Sequence, residues 1–428
     1  MPETTTHSPE AATQAVDEEP AVPPVHERAS AVARRVDELI RKHDPDLVAL
    51  RRRIHSRPEL GWSEHETTDL LMERLRAAGL EPRRLDPTGV IVDIGAEPRP
   101  AKPGRIALRA DIDALPIPEE TGLDFASQIP GRAHACGHDL HTAALFGATL
   151  ALAELERAGD LPVGVRCIFQ PAEEVQPGGA KTVIAQGGVA GVARIYALHC
   201  APRVTLGTIG SRIGPITAAG DTLTLTVSAD GGHTSRPHHT GDVIAALSHL
   251  ATGLPAVLGR RTDPRAAVSL TWGAIEAGSA ANAMPASGTL TGTIRCLHTG
   301  VWAELEQLVE HAAHHLAAPF GVELSIDHVK GIPPVDNEES AVRCLDAAVK
   351  DQIGPGAVEL TDQSLGGEDF AWYLREVPGA MVRLGTRTPG GPNHDLHRGD
   401  AVFDERAIGI GARVLARTAL LTGEELSG

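Results

Sequence analysis

From Ser30 onward, apolar residues recur every three to four positions, with the Ser30 hydroxyl placed to cap a first helix running to Lys42. The same period resumes over Pro45–Ser56 until Pro58 stops it, and again over Glu64–Ala78, which Gly79 closes. Short β-rich runs follow at Val90–Ile94 and Ile106–Ala110. Helix and strand then alternate: helix Leu140–Ala158, strand Val163–Phe169, helix Ala180–Gln186, strand Ile195–His199. This alternation predicts an α/β fold with a mixed, largely parallel sheet flanked by helices.

After Gly220 the rhythm changes. Strand Thr222–Ser228, helix Asp242–Gly259, strands Ala267–Ile275 and Gly288–Arg295, helix Val301–Ala318 and strand Glu323–His328 read as β-α-β-β-α-β, the ferredoxin-like order. The α/β pattern returns with helices Glu339–Gln352 and Glu368–Glu376, strand Ala380–Gly385 and a closing helix Asp404–Leu421. We therefore expect a main domain in two pieces, 29–215 and 331–428, with an α+β unit inserted at 216–330. Hinges at Pro215–Gly220 and Lys330–Pro334 would let the insert act as a lid over a cleft.

Composition narrows the functional classes. A chain of 428 residues, 42% hydrophobic and 22% charged, suits two soluble globular domains. A formal net charge of -17 argues against nucleic acid and anionic membrane as partners, and 3% aromatic content against base-stacking platforms. No run approaches 18 uninterrupted apolar residues, so no membrane span is expected. Residues 1–28, rich in Pro, Thr, Ala and Glu, read as a disordered acidic tail without signal-peptide character. The five cysteines (Cys136, Cys167, Cys200, Cys296, Cys344) are odd in number and scattered, which points to reduced thiols and a cytoplasmic location.

The chemistry concentrates in a few places. Cys136, His138, Asp139 and His141 cluster directly before a helix, a mixed thiolate, imidazole and carboxylate set without the paired cysteines of a structural zinc site. Arg109, Asp111 and Asp113 share one face of a buried strand end, where unpartnered charges are costly. The reading is either a salt-bridged strand end or Asp111 holding a metal-binding histidine by its second ring nitrogen. Glu173 and Glu174 follow the next strand; adjacent carboxylates stay ionised cheaply beside a cation. One could ligate while the other serves as general base. His199 ends a further strand, and His394 and His397 lie on a Gly/Pro-rich loop, each weak evidence alone.

Taken together these segments resemble the aminoacylase/carboxypeptidase-G-like metallopeptidases, in the amidohydrolase branch of hippurate and auxin–amino-acid conjugate hydrolases. The resemblance spans roughly residues 45–422 and runs through Arg-Arg-Ile-His-Ser-Arg-Pro-Glu-Leu-Gly (52–61), Leu-Arg-Ala-Asp-Ile-Asp-Ala-Leu-Pro (108–116), His-Ala-Cys-Gly-His-Asp-Leu-His-Thr (134–142) and Ile-Phe-Gln-Pro-Ala-Glu-Glu (168–174). Gly-Gly-His (231–233), Asn-Ala-Met-Pro (282–285), Gly-Thr-Ile-Arg (292–295), Gly-Glu-Asp-Phe (367–370) and the spacing from His397 to Asp404-Glu405 continue it in order.

The resemblance implies a zinc-peptidase-like catalytic domain with a lid that also dimerises. It implies two divalent ions per subunit, drawn from zinc, manganese, cobalt or nickel, with Cys136, His138, Glu174, His199 and His397 as ligands and Cys136 as the bridge. Glu173 would be the general base, and Asp111 the partner of a ligand histidine. His233, reaching the site on closure or across a homodimer, would stabilise the oxyanion with Asn282, and Arg295 would hold the substrate carboxylate. Arg236 after His233, and Arg398-Gly399 after His397, depart from the family pattern and bear on substrate preference. The expected reaction is hydrolysis of the amide of an N-acyl amino acid. A dipeptidase or N-acetyl deacetylase is the alternative on the same scaffold, and a non-catalytic binding protein the alternative from another class.

Overall fold

The computed structural model describes residues 31–95 and 104–427; the acidic tail and the Ser30 cap lie outside them. Helix α1 (Ala31–His55) is continuous where two helices were expected, with Pro45 inside it. One proline removes one backbone bond, whereas the buried stripe Val36, Ile40, Leu47, Leu50 and Ile54 runs unbroken past it and holds the helix together. Helix α2 (His65–Ala77) leads to β1 (Arg83–Arg84), β2 (Val90–Ile94) and β3 (Arg105–Asp111). Helix α3 (His138–Arg157), β4 (Val165–Gln170), α4 (Ala180–Ala185), β5 (Val192–Thr205) and β6 (Ile209–Ser211) complete the first pass.

The chain then leaves through β7 (Gly214–Pro215) into β8 (Ala219–Ser228), β9 (Gly232–His233), α5 (Val243–Arg261), β10 (Ser269–Ala277), β11 (Ala283–Met284), β12 (Ser287–Cys296), α6 (Thr299–Ala317) and β13 (Glu323–Ile332). It returns through β14 (Asp336–Asn337) to α7 (Glu339–Gln352), β15 (Val358–Leu360), β16 (Gly379–Arg387) and α8 (Ala407–Ser427).

The main sheet has eight strands in the order β1-β2-β4-β3-β5-β16-β6-β15. Its centre, β4-β3-β5-β16, is parallel, while β2 against β4 and β16 against β6 are antiparallel. Alternate residues go to opposite faces: Leu108, Phe169, Leu198 and Val382 join the large core beneath α1, α3 and α8. Ala107, Ile168, Ala197 and Met381 join a smaller core with α4 and Phe370. The expected helix Glu368–Glu376 is a 3₁₀ segment, Asp369–Arg375.

The inserted strands form a second, antiparallel sheet, β10-β12-β8-β13, with a core of its own shared with α5 and α6. Helix α5 is long and apolar enough to cross a membrane by composition; here Val243, Leu247, Leu250, Leu254 and Leu258 bury one face of it on the sheet. The two chain crossings are tied together, since β7 pairs with β14 and the Ile216 N–H donates to Val335 O at 2.8 Å.

Candidate metal centre

The C-terminal ends of the parallel strands carry the chemistry, as is usual where βα loops open at a sheet edge. Cys136 ends the loop before α3 and His138 opens that helix; between them Gly137 adopts φ 86, and a Cβ there would stand 2.8 Å from Cys200 Sγ. Glu173 and Glu174 follow β4, His199 sits within β5, and His397 comes in on the loop after β16. His397 also has a left-handed backbone, φ 61, fixed by its N–H donating to Ala135 O at 3.0 Å. That strain at one residue places its imidazole opposite Cys136.

Ligand atoms of Cys136, His138 and His199 lie within 4.8 Å of one another, and so do those of Cys136, Glu174 and His397. The two triads share the Cys136 sulfur. Among the described residues, His138 Nε2 and Glu174 Oε1 are buried without a hydrogen-bond partner, although His397 Nε2 approaches Glu174 Oε1 to 3.2 Å, an arrangement costly for a protein unless a cation completes it. His199 donates its Nδ1–H to Cys200 O at 2.8 Å, which leaves Nε2 as a free lone pair 3.5 Å from Cys136 Sγ. Soft thiolate, imidazole and carboxylate together suit zinc and its transition-metal neighbours.

Ionisation behaves accordingly. Burial, reinforced by Glu174, pushes the Cys136 thiol well up. Burial, with Glu368, Glu174 and Asp369 nearby, pushes the Glu173 carboxyl well above its ordinary range. His138 moves up although burial opposes its charge, because Asp111 and Cys136 face it. Such a donor set exchanges protons for a divalent cation.

One assignment is corrected. The partner of His138 Nδ1 is Asp113, through its backbone carbonyl at 2.9 Å and its carboxylate at 3.3 Å. Asp113 also accepts the Glu174 N–H at 3.0 Å, so one side chain orients two ligand candidates. Asp111 instead accepts from His141 Nδ1 at 2.6 Å, and His141 Nε2 is occupied by the Cys200 N–H at 2.7 Å. His141 therefore has no nitrogen to offer a metal. Asp111 belongs to this strut, and to Arg109, whose Nη1 donates to it at 2.6 Å. Geometry decides this: β3 ends at Asp111, and the chain beyond it turns Asp113 toward the head of α3.

A second buried network lies behind Glu173. Arg109 also bonds Gln170 and Asp369 at 2.8 Å and lies 3.2 Å from Glu368. Asp369 rises to about 7 by burial and the neighbouring Glu368, against the pull of Arg109. Glu64, to which sequence reasoning gave no role, accepts the Ala172 N–H at 2.7 Å and the Thr88 hydroxyl at 2.6 Å. It thereby holds Ala172, at φ 53, directly ahead of Glu173.

These groups open on a cleft of about 770 Å³ lined by Cys136, Glu173, Glu174, His199 and His397, with Arg295 from β12 at its edge. Arg295 lies across Gly220, where a Cβ would meet its guanidinium at 2.2 Å. Arg383 of β16 lines the same cleft and was missed, although a lone arginine in the apolar run Ala380–Gly385 was the available signal. His233 and Asn282 do not line it. They sit together on the β9–β11 ribbon, exposed, with the Thr234 N–H donating to Asn282 O at 3.3 Å. Along β8 and β12, Gly220 faces Arg295 and Ser228 faces Ser287; at about 3.4 Å per residue the ribbon begins roughly 27 Å from the arginine.

The sequence profile of Peptidase family M20/M25/M40 matches residues 107–421. A Rhodococcus jostii protein named for glutamate–cysteine ligase 2-3 is 46% identical over 383 residues, 89% of this chain and 47% of that protein, so the chain spans about half the length of this relative. The N-acetyl-L-cysteine deacetylase of Bacillus subtilis is 36% identical over 369 residues, 85% of each chain. The crystal structure of Bacillus subtilis YXEP, titled a dinuclear metal-binding peptidase of family M20, superposes with a TM-score of 0.77 at 30% identity, covering 90% of this chain and 99% of that one. With donor triads that could hold metal ions, this chain belongs to the M20/M25/M40 peptidase family and is a metal-dependent enzyme of amide hydrolysis.

Proposed function

We propose that the protein hydrolyses the amide bond of N-acyl amino acids, with Glu173 as general base and Cys136, His138, Glu174, His199 and His397 holding two divalent ions. The carrying observation is the pair of donor triads that share Cys136, with Glu173 beside them and within 4.8 Å of His138 and Glu174. Bound there, the cations supply Lewis acidity and lower the pKa of water at the centre. Glu173 takes the proton of the attacking water and returns it to the leaving nitrogen, a transfer that its buried, proton-holding setting favours. Asp113 keeps His138 in the tautomer that offers Nε2. Arg295, whose guanidinium makes no hydrogen bond or ion pair among the described residues, holds the substrate carboxylate.

His233 supplies the oxyanion donor. Its Nδ1 accepts the Ser235 N–H at 3.1 Å, which puts the ring proton on Nε2, the free nitrogen. Its place on the far ribbon of its own insert favours delivery to a second subunit. The edge strand β10, exposed along most of its length and carrying Ile275 at 55% exposure, is the kind of unblunted edge that pairs with another copy. The deacetylase name of the Bacillus subtilis relative supports a small acyl group.

The test is a panel of N-acyl amino acids and dipeptides assayed after chelation and reloading with zinc, manganese, cobalt or nickel. Release of the free amino acid from the acyl compounds, lost on chelation and restored by one of the metals, is the expected result. Cleavage of dipeptides alone would shift the assignment to a dipeptidase.

A further inference from the structure

The main sheet places a second unneutralised guanidinium in the cleft. Arg383 is the register partner of His199 on the neighbouring parallel strand, so its side chain leaves the sheet on the same face as that ligand candidate. On its other side it faces Gly210, whose missing side chain leaves room; a Cβ there would lie 3.2 Å from that of Arg383. It lines the cleft together with Arg295. Neither guanidinium makes a hydrogen bond or ion pair with another described residue. The acidic residues nearest in charge to Arg383, Glu368 and Glu173, lie beyond ion-pair distance, and Arg109 already sits 3.2 Å from Glu368. Burial costs an arginine less when a bidentate anion completes it, and carboxylates match that fork.

We infer that the cleft is built for a substrate with two anionic groups: Arg295 takes the carboxylate of the amino-acid half, and Arg383 takes a second carboxylate or equivalent anion of the same molecule. The inference rests on the reading that the enzyme cleaves N-acyl amino acids. The second anion could belong to the acyl group, as in a dicarboxylic acid monoamide, or to the side chain of an acidic amino acid. The chemistry seen by Arg383 is the same in both.

The experiment compares kcat/KM for N-acetylleucine, N-succinylleucine and N-acetylglutamate in the metal-loaded wild type, Arg383→Gln and Arg383→Lys. The wild type should favour one of the two dianionic substrates over N-acetylleucine. In Arg383→Gln that ratio should fall about 10–100-fold, the scale of a lost hydrogen bond to a charged group, chiefly through KM, and Lys should restore part of it. The substrate whose advantage disappears identifies which half carries the anion. A ratio unchanged by Arg383→Gln, or no dianion preference in the wild type, overturns the inference. Should none of the three be hydrolysed, the hydrolase reading fails separately, and calorimetry decides for Arg383. Glutarate binding more tightly than butyrate to wild type, with that difference lost in Arg383→Gln, upholds a two-anion cleft; equal binding of the two acids overturns it.

Discussion

Around Cys136 the donor atoms of each triad lie within 4.8 Å of one another, with Cys136, His138 and His199 buried and His397 coming in from the exposed side, whereas His233 and Asn282 stand exposed at a two-residue ribbon at the far end of the insert. The first region is assembled by a sheet whose parallel centre cannot shift register without turning every side chain over. In the mechanism proposed above, the second depends on a contact with a second subunit. On that proposal one half of the chemistry is fixed by folding and the other half by docking, which would separate tight metal binding from the timing of turnover.

The sharpest way to break this contrast is at its centre. Replacing Glu173 with Gln should lower kcat by at least about 10²–10⁴-fold, the range of a lost general base, while metal content stays near that of the wild type. Near-native kcat, or loss of metal measured by emission spectrometry, would exchange the roles of Glu173 and Glu174.

The docked half should respond almost as strongly. His233→Ala is expected to reduce kcat by roughly 10²-fold or more, as for a lost oxyanion donor, with metal content unmoved. Mixing it with Glu173→Gln under conditions of proven subunit exchange should recover activity, since one heterodimer site would regain both groups. Silence on mixing would return His233 to its own subunit's cleft.

Within the pre-assembled half, Asp113 and Asp111 should separate. Asp113→Asn should weaken metal affinity by about 10–100-fold, as outer partners of ligand histidines do, and Asp111→Asn by clearly less, because its histidine is occupied by the Cys200 N–H. Equal losses in competition with a chelator would put Asp111 back among the supports of the metal.

The smallest effect concerns stability. His55 rises to about 9: burial opposes its charge, but Asp139 and Glu119 outweigh that cost. A group raised in the folded state stabilises fully below its unfolded value near 6.5 and loses that contribution as pH climbs to about 9. Chemical denaturation of the wild type should therefore weaken across that window, and His55→Gln should flatten it. A parallel profile in the variant would remove His55 from the balance.

Much of this was legible in the chain because many elements' periods agreed with their burial: Val165–Gln170 is buried throughout, and β8, β12 and most of β13 alternate along the insert's sheet. Short strands were not, since Ile209–Ser211 and Val358–Leu360 are too brief to show a period. Pro45 misled because a local rule was overridden by a long buried stripe. At the site, motif order pointed to Cys136, His138, Glu174, His199 and His397, whose ligand atoms fall into two triads that share Cys136. The choice between Asp111 and Asp113 was beyond it, because two residues of the same type two apart differ only in where the strand stops. Arg383 was overlooked because a single charge in a strand acquires meaning only when its sheet neighbours are known.

The position of β16 carries a consequence for biosynthesis. It is made after every strand of the insert, yet it lies inside the main sheet, between β5 and β6. While the ribosome is still adding residues beyond Ile332, the insert already owns all its strands, both helices and a closed core, and domains of that kind fold as they emerge. The catalytic sheet has to wait with a gap in its middle, its pairing partners far apart in sequence and slow to join. His397 arrives later still. The order of translation therefore keeps the second donor triad unfinished until His397 has been added, after the whole of the insert, and up to that point the growing polypeptide holds only one of the two triads.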